Sequence, residues 1–142
     1  MTNSTLFATQ RALQLAGRAL LGLYFIVPGI SKIADFDAMA AYMAAHNVPL
    51  IPVLLVLTIF LQIGGGLSLL AGYRVQLMAF VLAGLTLAIS IFMHDFWFME
   101  EGQQQAHELQ NFIKNMAIMA GLLYVAGVTP VANERATKNE QG

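Results

Sequence analysis

The sequence predicts an all-α membrane protein, a bundle of four transmembrane helices with a short interfacial helix between the first and second spans. Three observations carry this. Four long apolar stretches, about 12–30, 50–72, 75–93 and 112–131, fill most of the 142 residues, and each is close to the ~20 residues that cross a bilayer as a helix. The run from Leu50 to Leu61 is apolar on all sides, whereas a helix of a water-soluble domain keeps a polar face. Finally, 58% of residues are hydrophobic and 11% charged, with a mean hydropathy of +0.66, outside the usual globular balance. A chain of this length is expected to form one domain, 1–142.

The first span needs to be told from a signal peptide, which also begins with positive charge and an apolar run. Here the run is too long, Arg18 interrupts it, and Ile30 leads into Ser31 and Lys32 rather than a small-residue cleavage site. It is expected to be a retained span. Pro28 and Gly29 are expected to bend or end its helix before Ser31, because proline lacks the amide donor that the helix ladder needs. In the connection that follows, Phe36, Met39, Ala40 and Met43 fall at i, i+3, i+4 and i+7 behind Asp35 or Asp37 as a possible N-cap. That spacing gives a helix with one apolar face, suited to the membrane interface.

Gly72, Tyr73 and Arg74 leave almost no loop between the second and third spans, which forces an antiparallel hairpin. The last connection, from His94 to Gln110, begins aromatic and ends polar. Helices in lipid associate through small residues that allow close approach. Three faces qualify for the bundle interior: Thr58, Gln62, Gly65 and Gly66 on the second span; Ala79, Ala83, Thr86 and Ser90 on the third; Ala117 and Gly121 on the fourth.

Four spans put both termini on one side. Arg11, Arg18, Arg74, Arg135 and Lys138 fall there, against Lys32 and Lys114 on the other side. The excess of basic residues marks the cytoplasmic side, so both termini are expected in the cytoplasm.

Several chemistries are excluded. Without cysteine there is no disulfide, thiol redox centre or thiolate metal ligand. A net charge of −1 with no basic block gives no footprint for nucleic acid. His94, Asp95, Glu100, Glu101, His107 and Glu108 show no recognised ligand spacing, so no metal is expected. Ser68 and Ser90 lie within spans with no base near them in sequence, which disfavours nucleophilic catalysis.

The polar residues in and near the spans are the candidate site. Arg18 lies about six residues inside the first span, ~9 Å by helical rise, so it either snorkels outward or finds an interior partner. Gln62, near the middle of the second span, must point inward, either to another helix or to a ligand. Arg18 and Gln62 form a candidate intramembrane polar pair. At the outer mouth, Lys32 ends the first span, His94 and Asp95 end the third, and Asn111, Lys114 and Asn115 open the fourth. Donors of these types beside Tyr24, Phe25, Phe96 and Trp97 would hydrogen-bond a quinone head group and enclose its ring. The same residues also fit a lipid-interface girdle.

Taken in order, Arg18, the run Gly22-Leu23-Tyr24-Phe25, Pro28-Gly29 with Lys32, Gly64-Gly65-Gly66-Leu67 ending at Gly72-Tyr73-Arg74, and Phe112 with Lys114-Asn115 leading to Gly121 cover nearly the whole chain. This pattern resembles the DoxX-like membrane proteins, and most closely the short bacterial inner-membrane members. The resemblance implies a four-helix inner-membrane protein, some relatives being subunits of quinone-reducing or thiol-stress oxidoreductase systems. It carries Arg18, Lys32, Arg74, Lys114 and Asn115 over as family positions. One departure stands out: Gln62 occupies the place where the family usually has Glu, which puts a proton-coupled step at that position in doubt. Two functions are therefore expected to compete. One is a membrane subunit of a quinone-linked oxidoreductase, with a soluble or membrane partner supplying the other redox centre. The other is a non-catalytic scaffold or anchor for partner proteins; either form allows a homo-oligomer in the bilayer.

Overall fold

The computed structural model describes residues 3–129. Every regular element among them is helical: α1 (Asn3–Ala34), α2 (Phe36–Ala45), α3 (Ile51–Ala71), α4 (Val75–Met93), a single 3-10 turn (Phe96–Phe98) and α5 (Gln103–Val128). Four segments, Ser4–Ala34, Ile51–Ala71, Val75–Phe98 and Gln103–Val128, are long and apolar enough to cross a membrane. Arg135 and Lys138, used above to orient the chain, and the end of the fourth expected span lie outside the described residues.

The helices pack in the order α1, α3, α4, α5, while α1 and α5 touch only briefly. Close approach of α1 and α3 depends on Gly22 and Gly66. A Cβ added to Gly22 would stand 2.7 Å from the Gly66 carbonyl oxygen, and one on Gly66 would stand 2.6 Å from that of Gly22. Two backbones in direct contact is the arrangement that small residues permit between helices in lipid. On α4, Ala79, Ala83, Thr86 and Ser90 are all buried. The two hydroxyls satisfy themselves within the helix, Thr86 donating to the Leu82 carbonyl and Ser90 to that of Thr86, each at 2.7 Å.

Gly72 closes α3 at φ +77°, and Tyr73 N–H returns to the Ser68 carbonyl at 3.0 Å. A left-handed residue here favours glycine, and the chain re-enters α4 at once, as a tight antiparallel hairpin. Two apolar cores result. One, near the hairpin, joins Phe25, Leu69, Leu82 and Leu122. The other seats α2 on the bundle through Met43, with Phe36, Met39 and Ala40 packed against Leu55 and Met93. The apolar face read from sequence is thus the buried face of α2. Asp35 holds the N-cap position without a side-chain capping bond.

Three expectations are corrected. Helix α1 runs unbroken through Pro28 to Ala34; a proline in a membrane helix is tolerated where neighbouring helices and side chains meet the freed backbone groups. Ala117 is exposed rather than interior. The buried side of α5 is Glu108, Asn115 and Leu122, about two turns apart, with Ala126 one turn further, and Ala117 points away from that line. Helix α5 also starts at Gln103, nine residues before Phe112, because the polar segment from Gln103 to Asn111 finds partners on other elements.

Candidate functional site

The end of the bundle that carries α2 encloses a cavity of about 230 Å³. Its walls are apolar, from Phe25, Met39, Met43, Leu55, Ile89 and Met93, and its polar groups come from every long helix: Tyr24 and Lys32 from α1, Thr58 and Gln62 from α3, Thr86 from α4, His94 just past its end, and Lys114 and Asn115 from α5. Tyr42 closes it from α2. A few convergent polar groups in an apolar hollow is the usual form of a small-molecule site.

Each polar group has a definable state. Tyr24 donates its hydroxyl to Asn115 Oδ1 at 3.2 Å, the described side-chain bond that joins α1 to α5. Lys32 Nζ reaches back to the Pro28 carbonyl at 3.5 Å. Thr86 has spent its proton on Leu82, so toward the cavity it can only accept. Gln62 is 4% exposed and its Oε1 has no hydrogen-bond partner. A buried amide oxygen left unmet costs about 1–3 kcal/mol. The lining contains two lysines and a histidine and no carboxylate.

Behind the lining lies an acidic support. His94 Nδ1 and Glu108 Oε2 are 2.7 Å apart, and Glu108 is 7% exposed. Asn111 Nδ2 donates to the same carboxylate at 3.5 Å, and Asn111 Oδ1 accepts from Lys114 Nζ at 3.0 Å. The Tyr42 phenol is pushed above its ordinary value by burial first, then by the charges of Glu108 and Asp95 and a hydrogen bond to Glu108. Next to it, His46 meets Tyr42 edge-to-face with ring centroids 4.6 Å apart and its Nδ1 lies 3.1 Å from Asp95 Oδ1.

The sequence-derived candidates divide. Lys32, His94, Lys114 and Asn115 line one cavity, with Tyr24 and Phe25; Asn111 stands behind it as a brace. Phe96 and Trp97 do not line it but meet Phe112 edge-to-face, with ring centroids at 5.5 and 5.8 Å. Arg18 and Gln62 are not paired, because they meet opposite ends of the α1–α3 contact. The Arg18 guanidinium packs against Gly72, whereas Gln62 lies beside Gly29, eleven residues further along α1. Glu108, Tyr42 and His46 were missed. Glu108 precedes Asn111 by three residues and Asn115 by seven, so helical spacing would have found it had the helix been extended upstream. Among the described residues no three His, Cys, Asp or Glu side chains come together to hold a metal ion.

These features define a small polytopic α-helical membrane protein with a ligand-sized polar cavity between its helices. The DoxX family profile matches residues 13–95, and the chain belongs to that family. It is 34% identical over 118 residues to the inner membrane protein YqjF of Escherichia coli (strain K12), covering 83% of this chain and 85% of the relative. To the inner membrane protein YphA of the same organism it is 26% identical over 125 residues, covering 88% and 89%. No solved structure matches.

Proposed function

We propose that the chain is an inner-membrane subunit of a quinone-linked oxidoreductase system, and that the cavity receives the quinone head group, with both termini cytoplasmic and the cavity toward the outer face. The single observation that carries the reading is Gln62, whose buried Oε1 has no hydrogen-bond partner, in the wall of a hollow where other polar side chains and apolar surface converge. Its amide, with Lys32 and the uncommitted Nδ2 of Asn115, supplies donors for ring oxygens. Phe25, Met43 and Met93 supply apolar surface for the ring itself. A bound quinone would supply two-electron, two-proton redox chemistry that a chain without cysteine lacks. The electron donor then belongs to a partner protein.

The test is the ultraviolet spectrum of an organic extract from protein purified in mild detergent, before and after borohydride. A quinone that approaches one per chain and falls in Lys32→Ala, His94→Ala and Asn115→Ala is expected. No quinone above that carried by an unrelated membrane protein would favour the scaffold function, with the polar mouth acting as an interface girdle.

A further inference from the structure

We propose that His94, held by Glu108, accepts the proton of an acidic ring hydroxyl bound in this cavity, and that Lys32 and Lys114 hold the resulting oxyanion. This rests on the reading that the cavity takes a ring head group, and it names the form in which that group is held. The lining carries cationic side chains and no carboxylate, so an oxygen that gains negative charge there meets attraction and no like charge from the lining. Gln62 and Thr86 present acceptors as well as one amide donor, which a hydroxyl can answer and a carbonyl cannot fully meet.

The route for the proton follows from the histidine. Its Nδ1 is committed to Glu108 at 2.7 Å, which leaves Nε2 as the ring nitrogen open to a cavity ligand and fixes which nitrogen acts as base. The ligand O–H bond breaks, its proton forms a bond to Nε2, and the imidazolium keeps its Nδ1–H on the Glu108 carboxylate. A buried carboxylate placed in this way fixes the orientation and tautomer of the ring it holds and pairs with the imidazolium once it forms. The groups that face His94 and Glu108 are Tyr42 from α2, Lys32 and Tyr24 from α1, and Asn111 and Lys114 from α5. The His46–Asp95 pair lies just outside them.

The test uses an alkyl-tailed nitrophenol, whose colour reports its ionisation, bound to the full chain in detergent and titrated from pH 5 to 9. Relative to the same probe in empty micelles, binding is expected to lower its ionisation midpoint by about one pH unit, a tenfold change in the equilibrium. His94→Gln and Glu108→Gln are expected to return most of that shift while the probe still binds, and Lys32→Gln to return part of it. A bound probe with an unshifted midpoint would overturn the inference and leave the cavity reading standing. A shift that survives in His94→Gln would overturn the role of His94 as base. No binding above the micelle background would remove both the inference and the head-group reading. Displacement of the probe by a saturated fatty acid more readily than by an alkylhydroquinone would overturn the hydroxyl assignment in favour of a carboxylate ligand.

Discussion

His94 and Glu108 are fourteen residues apart in sequence, and Nδ1 of one stands 2.7 Å from Oε2 of the other. The contact spans the α4–α5 connection and ties the mouth of the cavity to the first turns of α5. Because Glu108 is nearly buried, its removal leaves the imidazole without its partner in a poorly solvated place. Glu108→Ala is expected to lower stability by about 1–3 kcal/mol, and Glu108→Gln by less, because its amide can still bond the ring. Thermal unfolding in detergent reads the difference; equal losses for the two variants would show that the hydrogen bond contributes little.

The contact of Gly22 with Gly66 gives a sharper packing test. Gly22→Ala would place a methyl group 2.7 Å from a backbone oxygen, which cannot move aside as a side chain can, and overpacking of this kind costs about 1–3 kcal/mol. Gly84 lies in α4 with nothing within 4 Å of its missing Cβ. Gly84→Ala is expected to be neutral or to stabilise by up to about 1 kcal/mol through helix propensity. The two variants should move the melting temperature in opposite directions, or at least differ clearly in loss.

Gln62 sets stability against binding. Gln62→Leu removes a buried carboxamide whose oxygen has no partner and is expected to stabilise the ligand-free protein by about 1–3 kcal/mol. The same change should abolish retention of a quinone. A variant that melts lower and keeps its quinone would place the role of Gln62 in packing instead.

Tyr42 carries a pH signature. Its phenol is raised above the ordinary 10.0 by burial, then by Glu108 and Asp95. Below that value it is neutral in folded and unfolded chains alike, so its contribution is complete. As pH climbs from there toward the folded value, the unfolded chain ionises first and the contribution is lost. The stability difference between wild type and Tyr42→Phe should be constant below pH 10 and shrink above it, as followed by thermal unfolding across an alkaline series. A difference that grows with pH would reverse the sign of the shift.

Much of this arrangement is legible in the sequence where one physical constraint acts alone. Lipid demands ~20 apolar residues per span, and the α3–α4 hairpin is written in Gly72 and Arg74, so the four spans and the tight turn are readable. The Met39 and Met43 face of α2 follows from spacing, and Lys32, His94, Lys114 and Asn115 follow from their places at span ends. What escapes is set by contacts between distant segments. Glu108 reads as loop because the residues around it are polar, yet α5 extends over it once His94 offers a partner. Pro28 reads as a helix end, although neighbouring helices let α1 continue. Ala117 reads as interior by size alone, while the buried side of α5 is fixed by where Asn115 and Leu122 must point. Arg18 and Gln62 read as a pair only because sequence does not give the register of α1 on α3, which Gly22 and Gly66 set.

The most direct test of the head-group site is photoaffinity labelling with an azidoquinone, followed by peptide mapping. Adducts on cavity residues such as Tyr42, Met43 or Met93, displaced by excess quinone and reduced in Gln62→Leu, are the expected result. Adducts confined to outward-facing residues such as Phe60 or Tyr124, undiminished by competing quinone, would contradict it.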